Sequence, residues 1–122
     1  MGLLDPFRRF FRRMAESDEQ RYAEEIEAWA AQVPGTVRIR EAENRSRVKL
    51  AGVVRRITVR PLEGSESLEA LLYDGTGEVV VVWMGRRSIH GLNLGTHLVV
   101  EGLIADQRAG RRIVNPSFEF AA

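Results

Sequence analysis

Asp74-Gly75-Thr76-Gly77 is followed by Glu78 and then by Val79-Val80-Val81-Val82-Trp83. No other stretch constrains the fold as tightly. Glycines beside a threonine suit a loop that cradles phosphate, but such a loop needs a helix directly after it, because the helix N-terminus supplies amide donors and a positive dipole. The Gly-Lys-Ser/Thr ending of one phosphate loop and the third glycine of another are both missing. Four consecutive valines lose side-chain freedom in a helix and suit a pleated sheet. Leu68 to Tyr73 also reads as a strand. The segment therefore predicts a β-hairpin around an Asp-Gly turn.

A period of two begins at Ser46. Val48, Leu50, Gly52 and Val54 alternate with Lys49 and Ala51, and Ile57 and Val59 continue the apolar face one residue out of step. That slip predicts a β-bulge near Arg55-Arg56, which bends the strand. A polar loop, Pro61 to Ser67, leads to the hairpin. Gly85 to Gly95 is a turn-rich crossover with room for one helical turn. Thr96 to Ala105 reads as a fourth strand, Asp106 to Gly110 as a turn, and Arg111 to Phe120 as a fifth strand interrupted at Pro116. A long bent first strand can serve both halves of a small barrel. The expected fold class is mainly β, a five-stranded Greek-key OB-fold barrel over residues 46–122. Residues 36–45 form a connector and residues 1–35 a helical extension.

In that extension, Phe7, Phe10, Phe11 and Met14 recur at i, i+3, i+4 and i+7, one face of a helix, with Arg8, Arg9, Arg12 and Arg13 between them. Ser17 reads as the N-cap of a second helix, with Gln20 at the capping-box position. Tyr22, Ile26, Trp29 and Val33 mark that helix's apolar face, and Pro34-Gly35 ends it. The phenylalanine stripe has two readings: contact with a membrane interface, or packing on the barrel or on another chain. The acids that follow it favour packing, because a surface binder relies on sustained basic attraction. A homodimer or protein partner through Phe7, Phe10, Phe11 and Met14 is the expectation, and a membrane partner is not.

The chain has 122 residues and no cysteine, which rules out disulfides, zinc-thiolate sites and thiol nucleophiles and fits a cytoplasmic location. No apolar run is long enough to span a bilayer, and a signal-peptide core is missing. Lys49 is the sole lysine among 18 basic residues, a bias that reflects a GC-rich genome, and the net charge is only +1. His90 and His97 lack metal-ligand spacing, and Ser65, Ser67 and Ser88 lie in no nucleophile elbow. No catalytic constellation, metal site or cofactor is expected, and the chain reads as a non-enzyme.

The segments VKLAGVVRRITV, LEALLYDGTGEVVVVWMGRR, GLNLGTHLVVEGLI and RRIVNPSFEF resemble the nucleic-acid-binding OB family that includes the wedge domain of RecG-type branch-migration helicases. The layout also looks like the small stand-alone OB proteins of actinobacteria. The resemblance runs from about Ser46 to Ala122. It implies binding of single-stranded or branched DNA, more than RNA, with little sequence preference. A protein-interaction adaptor is the alternative.

In such a barrel the ligand crosses strands two and three. Leu68, Ala70, Leu72, Val79, Val81 and Trp83 should point inward, leaving Glu69, Leu71, Tyr73, Val80, Val82 and Met84 outward. A further bulge would reverse Trp83. Tyr73 is the stacking candidate; read blandly, it is a partly exposed strand tyrosine. The candidate nucleic-acid-binding residues are Arg55, Arg56 and Arg60 on strand one, Tyr73 and Met84 on the hairpin, Arg86 and Arg87 beyond strand three, and Arg108, Arg111 and Arg112 around the last hairpin. The same arginines can equally be a solvated surface. Leu68 to Gly85 carries Glu69, Asp74 and Glu78 and no basic residue, an unusual pattern for a phosphate groove.

Overall fold

The structure, a computed structural model, describes residues 5–62 and 64–121. Helix α1 (Asp5–Ala31) is followed by a 3-10 turn (Ile39–Glu41). Six strands then follow: β1 (Ser46–Leu62), β2 (Ser65–Tyr73), β3 (Glu78–Met84), β4 (His97–Gln107), β5 (Gly110–Val114) and β6 (Ser117–Phe120). Strand order is β1-β2-β3-β5-β4, and β4 also pairs with β1, so five strands form a closed ring. All pairings are antiparallel except β3 with β5. β6 extends from β4 as an added edge.

The long first strand closes the ring. Ser46 to Val53 pairs with β4, and Val53 to Leu62 pairs with β2. The register slips between Val54 and Arg56, which places the bulge at Arg55, as the out-of-step apolar face requires. Gly52 sits where the strand changes partner. A Cβ there would lie 2.7 Å from the Tyr73 carbonyl oxygen, so only glycine lets β1 cross β2 this closely.

The pleat sorts the hairpin as expected. Leu68, Ala70, Leu72, Val79, Val81 and Trp83 all join the central core with Leu50, Leu98, Val100, Ile104 and Ile113. Trp83 packs edge-on against Phe118, with ring centroids 5.4 Å apart. No second bulge intervenes on β3, so Trp83 keeps its inward parity.

Several expectations are corrected. The helix is continuous through Ser17, whose hydroxyl accepts from Arg21 one turn on at 3.5 Å instead of capping a new helix. No glycine or proline interrupts residues 7–33, so nothing forces a break there. The loop expected over Pro61 to Ser67 contracts to residues 63–64, because β1 and β2 pair out to Leu62 and Ser65; residue 63 lies outside the described residues. Gly85 to Gly95 contains turns and no helix. Leu92 and Ile89 from this crossover pack against the core. Val37 to Ile39 forms no strand, although the Val37 amide donates to the Lys49 carbonyl. The fifth strand divides at Asn115-Pro116 into β5 and β6, with Asn115 in the left-handed region at φ 49°.

Helix α1 is anchored by its C-terminal half only. Ile26 and Ala30 are buried, and Ala30 packs with Trp29 and Val33 against Ala51 of β1 and Val99 of β4. Trp29 also meets His97 edge-on at 4.5 Å. Among the described residues, no helix is long and apolar enough to cross a membrane.

Candidate nucleic-acid interface

The outward face of the ring between β1 and β5 is built from three cross-strand rows. Arg56, Leu71, Val80 and Arg112 are successive register partners on β1, β2, β3 and β5. Thr58, Glu69, Val82 and Val114 form the next row, and Arg60, Ser67 and Met84 the third. The result is an apolar strip of Leu71, Val80, Val82 and Met84 with arginines at both borders. Arg56, Thr58, Arg60, Glu69, Leu71, Val80, Ala109 and Arg112 enclose a concavity of about 320 Å³.

Glu69 sits at the middle of this face and is 7% exposed. Its Oε2 lies 2.8 Å from Arg60 Nε and 3.4 Å from an Arg112 terminal nitrogen. A carboxylate this deep needs such partners, because an unpaired buried charge is costly. The two arginines come from opposite borders, so Glu69 sets the spacing of the cationic edges while neutralising part of their charge. Glu69 and Val82 keep their expected outward parity, yet both are buried rather than open to solvent.

The remaining sequence candidates separate. Tyr73 and Arg55 lie together at the turn end of the hairpin. The Arg55 guanidinium covers the Tyr73 ring at 4.4 Å and also approaches Glu78 at 3.8 Å. Half of the tyrosine's stacking surface is thus already occupied, and Tyr73 is half-buried. Met84, Arg86 and Arg87 lie at the other end of β3; Arg87 pairs with Glu66 at 2.8 Å. Arg108 is exposed in the β4–β5 turn. Arg56, Arg86 and Arg108 form no ion pair among the described residues.

Arg111 points elsewhere. Its side chain is 20% exposed, pairs with Asp106 at 2.7 Å, and donates to the carbonyls of Ile39 and Ala42. It holds the connector against the β4–β5 hairpin. A larger hollow of about 600 Å³ lies beside it, lined by Arg40, Asn44, Thr76 and Gln107 among others. Its deepest cation is committed to those backbone carbonyls, so the hollow is a packing seam of the connector and offers little to an incoming anion.

The Asp74-Gly75-Thr76-Gly77 turn is likewise a clasp. Asp74 Oδ1 accepts from the Thr76 amide (2.9 Å), the Thr76 hydroxyl (2.6 Å) and the Gly77 amide (3.1 Å). Oδ2 accepts from the Ile39 amide at 2.8 Å. Asp74 therefore secures the connector as well as its own turn. Gly75, at φ 90°, packs directly under the Ala23 carbonyl of α1 and leaves no space for a side chain.

Sequence reading placed Glu69, Leu71 and Val80 on the outward face but counted none of them among the binding residues, and it missed Thr58. Alternation along β1 and β2 carried the signal for Thr58 and Glu69. The parallel pairing of β5 with β3, which brings in Arg112, left no local signal.

No family model matches the chain, and no curated protein matches it. Among solved structures, the chain is similar to one described as RecG bound to a three-way DNA junction, with a TM-score of 0.60 and 17% identity. That match covers 69% of this chain and 12% of the other. At this identity the likeness is one of fold.

Proposed function

We propose that the ring is an OB-fold barrel that binds nucleic acid, single-stranded or branched DNA in particular, without catalysis and with little sequence preference, in the cytoplasm. The observation that carries this reading is the row Arg56–Leu71–Val80–Arg112: an apolar floor bordered by cations on the outward face of β1, β2, β3 and β5. Bases need a flat apolar surface and the backbone needs flanking positive charge, and this face provides both. The fold likeness to a protein described as bound to a DNA junction supports the same reading.

Strand polarity across the face gives the ligand a path. Phosphates run along the Arg56–Arg60 border on β1 and meet Arg112 on β5, while bases rest on Leu71, Val80 and Val82. Tyr73 extends the floor toward the turn. Arg86, Arg87 and Arg108 lie at the periphery, where they add attraction without setting the path.

The test is a low-salt titration of single-stranded, duplex and forked oligonucleotides. Binding should favour the single-stranded and forked forms. The double variant Arg56→Ala with Arg112→Ala should weaken every sequence about equally and flatten the salt slope by about 1.4, as loss of two single-strand phosphate contacts requires. An unchanged titration removes this face from consideration. Absence of binding to every oligonucleotide favours the adaptor reading, which the exposed phenylalanine stripe of α1 also supports.

A further inference from the structure

The apolar strip does not stop at β5. Ile104 of β4 and Ile113 of β5 are register partners, and both are fully buried. Neighbouring residues on a strand point oppositely, so Leu103 and Val114 lie side by side on the outer surface. They are 58% and 49% exposed. Val114 is also the register partner of Val82, and Leu103 that of Arg47 near the start of β1. One row therefore runs Val82–Val114–Leu103–Arg47 round the ring, over three strand spacings or about 14 Å. Met84, half exposed, adjoins it two residues beyond Val82 on β3.

We propose that a single-stranded nucleic acid leaving the first face at Arg112 continues over Val114 and Leu103 to Arg47, a second stretch of the same binding track. The chemistry repeats that of the first face: an apolar floor for bases, with a cation at each border for phosphates. Arg112 is common to the two stretches, so the path is continuous. Arg47 is free to turn to phosphate, because its ion pair with Glu101, at 3.7 Å, joins two well-exposed side chains, and such pairs are weak. Arg45, exposed and in no ion pair among the described residues, precedes it on the same border. A purely apolar partner would leave these border arginines unmatched.

The surroundings confine the track to this row. Helix α1 covers the same β1–β4 pair at Ala51 and Val99, which lie along each strand from Arg47 and Leu103. Between the row and the helix stand Glu101 and Glu119, both exposed, which repel phosphate. The extension rests on the nucleic-acid reading of the first face and adds Arg47, Leu103 and Val114 to it. A bound strand then covers more of the ring than the Arg56–Leu71–Val80–Arg112 row alone spans.

Fluorescence anisotropy of the full chain with labelled oligothymidylates of about 4 to about 16 nucleotides, the range of site sizes for one such barrel, tests it. Affinity of the parent chain should keep rising with length after the first face is filled. On the longest oligonucleotide, Leu103→Ala with Val114→Ala should weaken binding about fivefold, the lower end for one lost base contact. Arg47→Ala should flatten the salt slope there by about 0.7, the loss of one single-strand phosphate contact. On the shortest oligonucleotide both variants should bind like the parent. All three side chains are exposed, so both variants should melt like the parent. Should the double variant lose stability, Arg47→Ala still tests the path with the apolar floor intact. If both variants bind the longest oligonucleotide like the parent while Arg56→Ala weakens it, the extension is overturned and the first face stands. If Arg56→Ala has no effect either, the reading of the first face fails with it.

Discussion

Asp74 shows how one short side chain can unite two segments of a small protein, its own turn and the connector. Its carboxylate accepts from its own turn and from the Ile39 amide, and it is almost fully buried. Asp74→Ala should cost about 3 kcal/mol in chemical denaturation, because several charge-assisted bonds vanish and a buried amide loses its acceptor. Asp74→Asn keeps an acceptor and should cost clearly less. Glu69 holds a different position, between Arg60 and Arg112 on the proposed binding face. Glu69→Gln removes the internal anion that competes with phosphate. Affinity for a single-stranded oligonucleotide should rise about two- to fivefold, the scale of a partly exposed ion pair. A fall in affinity, with the ring still folded, would mean that Glu69 contributes to binding by positioning the arginines. Tyr73 carries the stacking prediction: Tyr73→Ala should lose about 1–3 kcal/mol of binding. Its Arg55 cap makes Arg55→Ala informative beside it, since that change uncovers one ring face while leaving the aromatic in place.

The elements differ in what holds them. The two halves of α1 contrast most, although they form one unbroken helix. Ile26 is buried and Trp29, Ala30 and Val33 are held against β1 and β4, whereas every residue from Pro6 to Tyr22 is exposed. Deleting residues 1–21 should leave the melting transition of the ring almost unchanged. Deleting residues 1–35 should leave a ring that still closes, weakened by about 2–4 kcal/mol as Ala51 and Val99 lose their cover. Equal effects of the two deletions, read by urea denaturation, would contradict the division of labour within the helix. Full loss of the fold on deleting residues 1–35 would place α1 in the core. The β4–β5 hairpin has a comparable duality: Arg111 turns to the connector and Arg112 to the outward face, because neighbouring residues on a strand point oppositely.

At the scale of the whole molecule, a net charge of +1 says little about ligand choice, since the arrangement of charge decides it. Arginines border one apolar face, and Glu69 at its middle neutralises part of their charge. With Arg56, Arg60 and Arg112 in contact with phosphates, the logarithm of the binding constant should fall with the logarithm of salt at a slope of about −2. A slope of about −0.7 would mean that the ion pairs of Arg60 and Arg112 with Glu69 persist in the complex and only Arg56 meets phosphate, and a flat response would remove all three contacts.

The sequence by itself determined the strand content, the inward set of Leu68, Ala70, Leu72, Val79, Val81 and Trp83, the bulge at Arg55 and the break at Pro116. Each of these is a local consequence of side-chain alternation, β-branching or the missing proline amide, and each is complete within a few residues. The continuity of α1 through Ser17 was hidden, because a serine followed by a glutamine reads equally as a cap or as an ordinary exposed turn. Only the tertiary structure decided that β5 lies parallel to β3. That pairing brings Arg112 within reach of Glu69 and Arg60 and turns scattered arginines into one bordered face. It also separated Arg111 from Arg112 and left the phenylalanine stripe uncovered. These outcomes depend on ring closure between strands far apart in sequence, and closure is set by the summed packing of the core, which no single segment encodes.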